Sequence, residues 1–359
     1  MSATMWAQVL HAVGDMRYEQ VPRPVPGPGQ VLVRVAWCGL CGSDIPRTFV
    51  KGTYRFPTII GHEFAGWVEA LGPEVSGLAV GEPVVVFPLI GCGRCAACSE
   101  GHEVQCRQYD YLGSRRDGAL AEFVVAPARN LLPVPPGVPL TVAAMTEPAA
   151  VARHALRRGG EVDGVVAIFG AGPIGLMAAQ WAQQLGAERV LLFDIAADKL
   201  ALAHRLGFAA FDSRTQDPVT VIHDHTDGEG AHLCLEAAGV PATLLQALAA
   251  VRRHGRVVLM GNPEGAVTLP AERISQFMRR EAAVFGTWNS RFVPAGRPEA
   301  GSIDDDWRQV LTALADGRLQ LEPLISHRVP LAQAFATLRL MHERREGFVK
   351  VLVAGADFA

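Results

Sequence analysis

The sequence has no apolar run of about eighteen residues, so nothing in it reads as a membrane-spanning helix. It has no excess of basic charge: 33 Lys and Arg stand against 36 Asp and Glu, for a net charge of −3. That balance argues against broad nucleic-acid binding, which needs a basic surface. The opening stretch MSATMWAQVLHAVGDMRYE lacks the basic segment and apolar run of a secretory signal, so a cytoplasmic location is expected. There is no internal repeat and no low-complexity tract. What remains is an ordinary globular composition, 49% hydrophobic and 19% charged, over 359 residues. A chain of that length suits two domains.

The first third is β-rich. QVLVRVAWC and PVVVFPL are short runs with many β-branched residues, separated by Pro/Gly punctuation. After about Pro148 the character changes. VVAIFGAGPIGLMAAQWAQQLGAERVLLFD reads as strand, Gly-rich turn, Ala-rich helix and strand. KLALAHRLG and ATLLQALAAVRRHG read as further helices, and RVVLMG as a further strand. Strands alternating with helices predict a parallel sheet covered on both faces. DDDWRQVLTALADGR is expected as a late helix and FVKVLVAG as a final strand.

The turn Gly170-Ala171-Gly172-Pro173-Ile174-Gly175 follows a predicted strand and opens a predicted helix, the context a dinucleotide-binding GxGxxG requires. Unpaired N–H groups and the positive dipole end at that helix N-terminus suit a pyrophosphate. Asp194 ends the next strand, where its carboxylate accepts from ribose hydroxyls and repels a 2′-phosphate. NAD is therefore expected over NADP. Lys199 lies within reach of the same ribose.

Four of the seven cysteines, Cys92, Cys95, Cys98 and Cys106, are spaced C-x2-C-x2-C-x7-C. In a cytoplasmic chain such a cluster reads as metal ligands before disulfides. Four thiolates close a tetrahedral shell around zinc and leave no position for substrate, so the site is expected to be structural. An iron–sulfur cluster is the rival. Nothing nearby completes a ferredoxin pattern, and a dinucleotide enzyme needs no one-electron carrier. A zinc-finger nucleic-acid binder would need a recognition helix beside the cysteines, and none is evident.

Three quieter segments are CGSD with Cys41, GHE with His62 and Glu63, and TEP with Glu147. Together with the Gly-spaced run Gly61-His62-Glu63-x2-Gly66-x5-Gly72-x2-Val75, the cysteine lobe and GAGPIG, they occur in the order of one family. The chain resembles the zinc-dependent medium-chain dehydrogenase/reductase family over almost its whole length. The resemblance implies an α/β Rossmann doubly wound parallel sheet plus a GroES-like β-barrel catalytic domain. The domains would be residues 1–150 with a zinc lobe at about 90–108, 151–288 for NAD, and 289–359 returning to the first. It implies two zinc ions per chain, one catalytic and one structural, and a homodimer or homotetramer.

Carried over by motif, Cys41, His62 and Glu147 would hold the catalytic zinc, and Glu63 is the other carboxylate able to ligate it. Ser43 would pass a proton toward solvent; the plainer reading is a turn hydrogen bond. Glutamate at position 147 leans toward the polyol branch. GLCGSDIPRTF, QYDYLGSRRDGALAEF and LQLEPLISHR are similar to the subgroup that oxidises galactitol 1-phosphate at C5 to tagatose 6-phosphate. A phosphate monoester suits guanidinium groups, which makes Arg47, Arg115 and Arg116 candidates. The plainer reading pairs the last two with Asp117 or Glu122. Trp288 and Asn289 are expected on the substrate wall, and the longer stretch before Trp307 leaves room for an unphosphorylated polyol. The alternatives are a sorbitol- or xylitol-type dehydrogenase, an L-threonine 3-dehydrogenase, or a non-catalytic NAD-binding regulator. The last commonly lacks the zinc ligands that this chain keeps.

Overall fold

A computed structural model describes residues 3–263, 265–294 and 305–355. The chain divides into two compact units, Met1–Glu147 with Arg291–Ala359, and Pro148–Ser290.

The first unit is built on a seven-stranded sheet. Its order is Leu131–Pro133, Pro83–Val86, Glu63–Leu71, Gln30–Leu40, Lys350–Ala354 and Ile325–Pro330, with Phe123–Pro127 also paired to Gln30–Leu40. The central strand Gln30–Leu40 is apolar because it is covered on both faces. Val31, Val33 and Val35 join Phe64, Val68, Val84, Val351 and Val353 in one buried cluster. Its antiparallel register sets Gly39 opposite Glu63 on one side and Val351 opposite Leu40 on the other. A smaller sheet of Asp15–Pro22, Thr4–Ala12 and Thr58–Ile59 stands with it. This barrel is assembled from both ends of the sequence: Lys350–Ala354 lies between Gln30–Leu40 and Ile325–Pro330.

The second unit is a six-stranded, all-parallel sheet in the order Ala209–Asp212, Arg189–Asp194, Val165–Phe169, Ala231–Glu236, Val251–Leu259 and Ala283–Gly286. In chain order this is 3-2-1-4-5-6, the doubly wound pattern whose strand order reverses beside the first strand. Val165–Phe169 is buried throughout, as a strand covered on both faces must be.

Most predicted elements form where the pattern placed them. The helices Pro173–Gln184, Ala197–Arg205 and Asp306–Ala315 are present, the last capped by the Asp305 side chain accepting from Arg308 N at 3.3 Å. One expectation is corrected. The helix expected over ATLLQALAAVRRHG stops at Ala250, and VRRHG opens the strand Val251–Leu259. Val251 pairs with Ala231, and His254 takes a positive φ of 55° with its N–H donating to Arg280 O, a geometry no helix interior permits. Residues 295–304 of the long segment before Trp307 lie outside the described residues. No helix among the described residues is long and apolar enough to cross a membrane.

Candidate metal centres and dinucleotide site

The strand register builds the first donor set. Cys41 follows the end of Gln30–Leu40, His62 immediately precedes the partner strand and Glu63 opens it, so pairing of Gly39 with Glu63 draws the three together. One ligand atom from each of Cys41, His62 and Glu63 lies within 4.8 Å of the others. His62 and Glu63 are buried. A side chain at Gly39 would collide with the Glu63 carboxylate and come within 2.9 Å of Lys350 Cε. Glu63 and Lys350 sit on strands either side of Gly39 and meet across it, so a side chain there would push the pair apart. Their carboxylate and ammonium form a buried ion pair, and Lys350 Nζ also donates to Leu40 O at 3.1 Å. Burial works against the ammonium, but Glu63 outweighs it and keeps Lys350 charged.

Asp44, fully buried, organises the other side. It accepts from Cys41 N at 3.0 Å and from Arg47 Nη1 at 3.1 Å, and its Oδ1 lies 3.5 Å from His62 Nδ1. Burial works to raise the Asp44 carboxyl, yet the charge of His62 and Arg47 outweighs it and holds the group at about 2. Burial likewise works against protonating His62. Asp44 and the Cys41 sulfur overcome it and raise the imidazole well above its ordinary value. At 3.5 Å the His62 Nδ1 contact is an ion-pair distance and not a formed hydrogen bond, and the buried nitrogen has no other partner among the described residues. A pocket that raises a histidine's proton affinity this way favours a cation. With its thiol, imidazole and carboxylate donors it fits zinc.

Glu147 lies in the first turn of the helix Thr146–Arg158, outside the three-donor set. It is buried, and Tyr111 Oη donates to its Oε1 at 3.4 Å. Burial raises its carboxyl to about 7, with Glu63 adding to the rise. The Tyr111 ring also stands 5.7 Å from that of His62. Ser43 Oγ accepts from Arg47 Nη1 at 2.8 Å and leaves its own proton available.

Cys92, Cys95, Cys98 and Cys106 form the second donor set, all four as free thiols. Cys92 and Cys98 Sγ are 4.0 Å apart, and Cys95 and Cys98 Sγ 3.5 Å. Tetrahedral zinc with bonds of about 2.3 Å sets its sulfurs about 3.8 Å apart, so these spacings fit. A hydrogen bond from the Arg94 backbone holds the Cys92 thiol down at about 6, while burial pushes Cys98 up to about 12.

In the second unit Gly170 N donates to Phe193 O at 2.7 Å, tying the turn to the neighbouring strand. Gly172 is the N-cap and Pro173 the first residue of the helix, so its missing N–H costs nothing. A Cβ on Gly175 would strike Gly170 O, and the strand and helix approach this closely only with glycine there. Ile174 follows Pro173 in the first turn. Asp194 accepts from Ala171 N and Ile195 N, both at 2.7 Å, and from Ala196 N at 2.9 Å. Lys199 is half-buried and makes no ion pair among the described residues. Trp288 is half exposed. Asn289 has φ 56° and accepts from Ser290 N through Oδ1.

The candidate arginines differ from their sequence reading. Arg47 is spent on Ser43 and Asp44. Arg116 pairs with Asp110 at 2.6 Å, while Asp117 pairs with Arg55. Arg115 stacks between Tyr54 and Tyr109. Sequence reasoning assigned nothing to Asp44, Tyr111 or Lys350. A lone lysine inside the apolar run FVKVLVA was the readable signal for the last.

Residues 27–136 match the family model of the alcohol dehydrogenase GroES-like domain and 173–316 that of the zinc-binding dehydrogenases. Galactitol 1-phosphate 5-dehydrogenase of Escherichia coli K12 is 37% identical over 302 residues, 83% of this chain and 85% of that one. The chain belongs to the zinc-dependent medium-chain dehydrogenases. It is an oxidoreductase whose cofactors are zinc and a nicotinamide dinucleotide. The crystal structure of galactitol-1-phosphate dehydrogenase from Escherichia coli matches with a TM-score of 0.88 and 34% identity, covering 98% of this chain and all of that one. L-threonine 3-dehydrogenase of Symbiobacterium thermophilum is 34% identical over 97% of both chains. A Sinorhizobium meliloti 1021 protein described as a zinc-binding dehydrogenase and bound to NADP matches with a TM-score of 0.88 and 31% identity, covering 98% of this chain and 100% of that one.

Proposed function

We propose that this dehydrogenase oxidises a secondary hydroxyl of a sugar alcohol phosphate with NAD, and that galactitol 1-phosphate is converted to tagatose 6-phosphate. The 37% identity to galactitol 1-phosphate 5-dehydrogenase carries the reading. The two donor sets support two zinc ions per chain. Asp194, a carboxylate at the end of the second strand, supports NAD over NADP.

Cys41, His62 and Glu63 would hold the catalytic zinc, with Glu147 as the second carboxylate available to it. Bound there, zinc supplies Lewis-acid polarisation of the substrate oxygen. Asp44 orients His62, and Lys350 balances Glu63. Ser43 would take up the substrate hydroxyl proton as it passes its own to solvent; Arg47 donates to its Oγ and leaves that proton free. Cys92, Cys95, Cys98 and Cys106 would hold the structural zinc away from the chemistry.

The test is NADH formation at 340 nm against galactitol 1-phosphate, galactitol, sorbitol, xylitol and L-threonine. Galactitol 1-phosphate should give the highest kcat/KM. Equal turnover of free polyols overturns the phosphate assignment. Preference for L-threonine would establish the second reading, which the 34% identity over 97% of a threonine dehydrogenase supports.

A further inference from the structure

A phosphate monoester needs a cation that no neighbouring carboxylate has already taken. Arg47 and Arg116 are committed to Asp44 and Asp110. Arg115 makes no ion pair among the described residues, and the groups that favour its charge are two tyrosines, Tyr54 and Tyr109. Its guanidinium carbon lies 4.0 Å over the Tyr54 ring and 4.4 Å over the Tyr109 ring. Its Nε–H is buried and meets no acceptor among the described residues. Such an unmet donor on a charged fork is an invitation to an anion.

The clamp is built, not incidental. Tyr54 N donates to Ser114 O at 3.4 Å, and Arg55 Nε donates to Arg115 O at 3.3 Å. Arg55 Nη2 then pairs with Asp117 at 2.8 Å. These bonds strap the loop around Tyr54 onto the turn that carries Arg115. With both faces of the guanidinium covered, a ligand has to approach along its N–H edge, and that edge is the one that binds phosphate oxygens in pairs. The clamp also connects to the donor set. Tyr109 meets Tyr111 edge-on at 6.4 Å, and Tyr111 reaches both His62 and Glu147. Arg115 thus stands one aromatic ring beyond the side chain that touches the metal-site residues, all within one unit.

We infer that Arg115, held between Tyr54 and Tyr109, receives the phosphate of a phosphorylated polyol whose reacting carbon lies at Cys41, His62 and Glu63. This rests on the substrate reading above. Its test compares kcat/KM for galactitol 1-phosphate and galactitol at saturating NAD. Inorganic phosphate serves as a second probe, both as a competitive inhibitor and by calorimetric titration. In Arg115→Met the phosphorylated-to-free ratio should fall about 10- to 100-fold, mainly through KM, and inhibition by phosphate should weaken by a similar factor. Arg115→Lys, which keeps the charge and loses the fork, should fall part of the way. Tyr54→Ala, at an exposed position, should weaken phosphate binding without threatening the fold.

If the wild type prefers the phosphorylated substrate and Arg115→Met keeps that preference, this inference is overturned and the substrate reading stands. A wild-type ratio near one overturns both. Should Arg115→Met fail to fold, an unchanged phosphate affinity in Tyr54→Ala overturns the clamp on its own.

Discussion

Lys350→Met removes one partner of a buried ion pair and leaves the other in place. Lys350 and Glu63 are each about 2% exposed or less, and they meet across Gly39, where a side chain would displace them. The Lys350 ammonium has two acceptors, the Glu63 carboxylate and Leu40 O. Without it, Glu63 is an unpaired charge inside the barrel, and breaking a buried pair this way costs about 3–5 kcal/mol. In metal-free protein that should lower Tm by on the order of 10 °C. The double variant Glu63→Gln, Lys350→Met leaves neither charge and should recover most of the loss, since an apolar replacement of a whole pair is often near neutral. Differential scanning calorimetry of the four proteins reads the coupling directly. Additive losses in the cycle would refute the pairing as the source of the cost. An unchanged Tm in Lys350→Met would refute the claim that Glu63 depends on it.

Three further outcomes follow from the same structure. Cys95→Ser should lower zinc content from two ions per chain toward one and cost folding stability on the order of 10 kcal/mol at most; loss of kcat with both zincs retained would contradict a structural role. Asp194→Asn should raise KM for NAD and narrow the preference over NADP, read in steady-state kinetics, and it is a cleaner probe than alanine because Asp194 also satisfies three backbone N–H groups; an unmoved NAD-to-NADP ratio would remove Asp194 from the ribose site. The Asp44 carboxyl is held at about 2 against an ordinary 3.8, so it adds stability that is full above pH ~4 and is lost as pH falls through about 2. That difference is on the order of 2 kcal/mol, and Asp44→Asn should flatten acid unfolding of the metal-free protein across this window.

What could be read from the sequence depended on distance along the chain. The Gly170–Gly175 turn and the Cys92–Cys106 lobe are local, and each carries its own context of strand, helix or ligand spacing. The Glu63–Lys350 pair spans 287 residues, and only strand order brings it together. Asp44 lay in view within CGSD, but its tie to His62 depends on the register of Gln30–Leu40 with Glu63–Leu71. The three arginines were equal as letters; their partners separated them. VRRHG was drawn into a helix because the preceding Ala- and Leu-rich run has strong helix propensity, while its pairing with Ala231 is invisible locally.

The barrel's two-ended construction sets an order of events during synthesis. Cys41, His62 and Glu63 leave the ribosome early, yet the strand that completes their sheet and carries the counter-charge to Glu63 follows 287 residues later. At about 5–20 residues per second that is an interval of roughly 15–60 s. Throughout it, the second unit is translated in full while the first has a gap beside its central strand. Losing the last strand would therefore strike the oldest part of the nascent chain, leaving an unclosed barrel and a stranded carboxylate at the metal site, rather than trimming a tail.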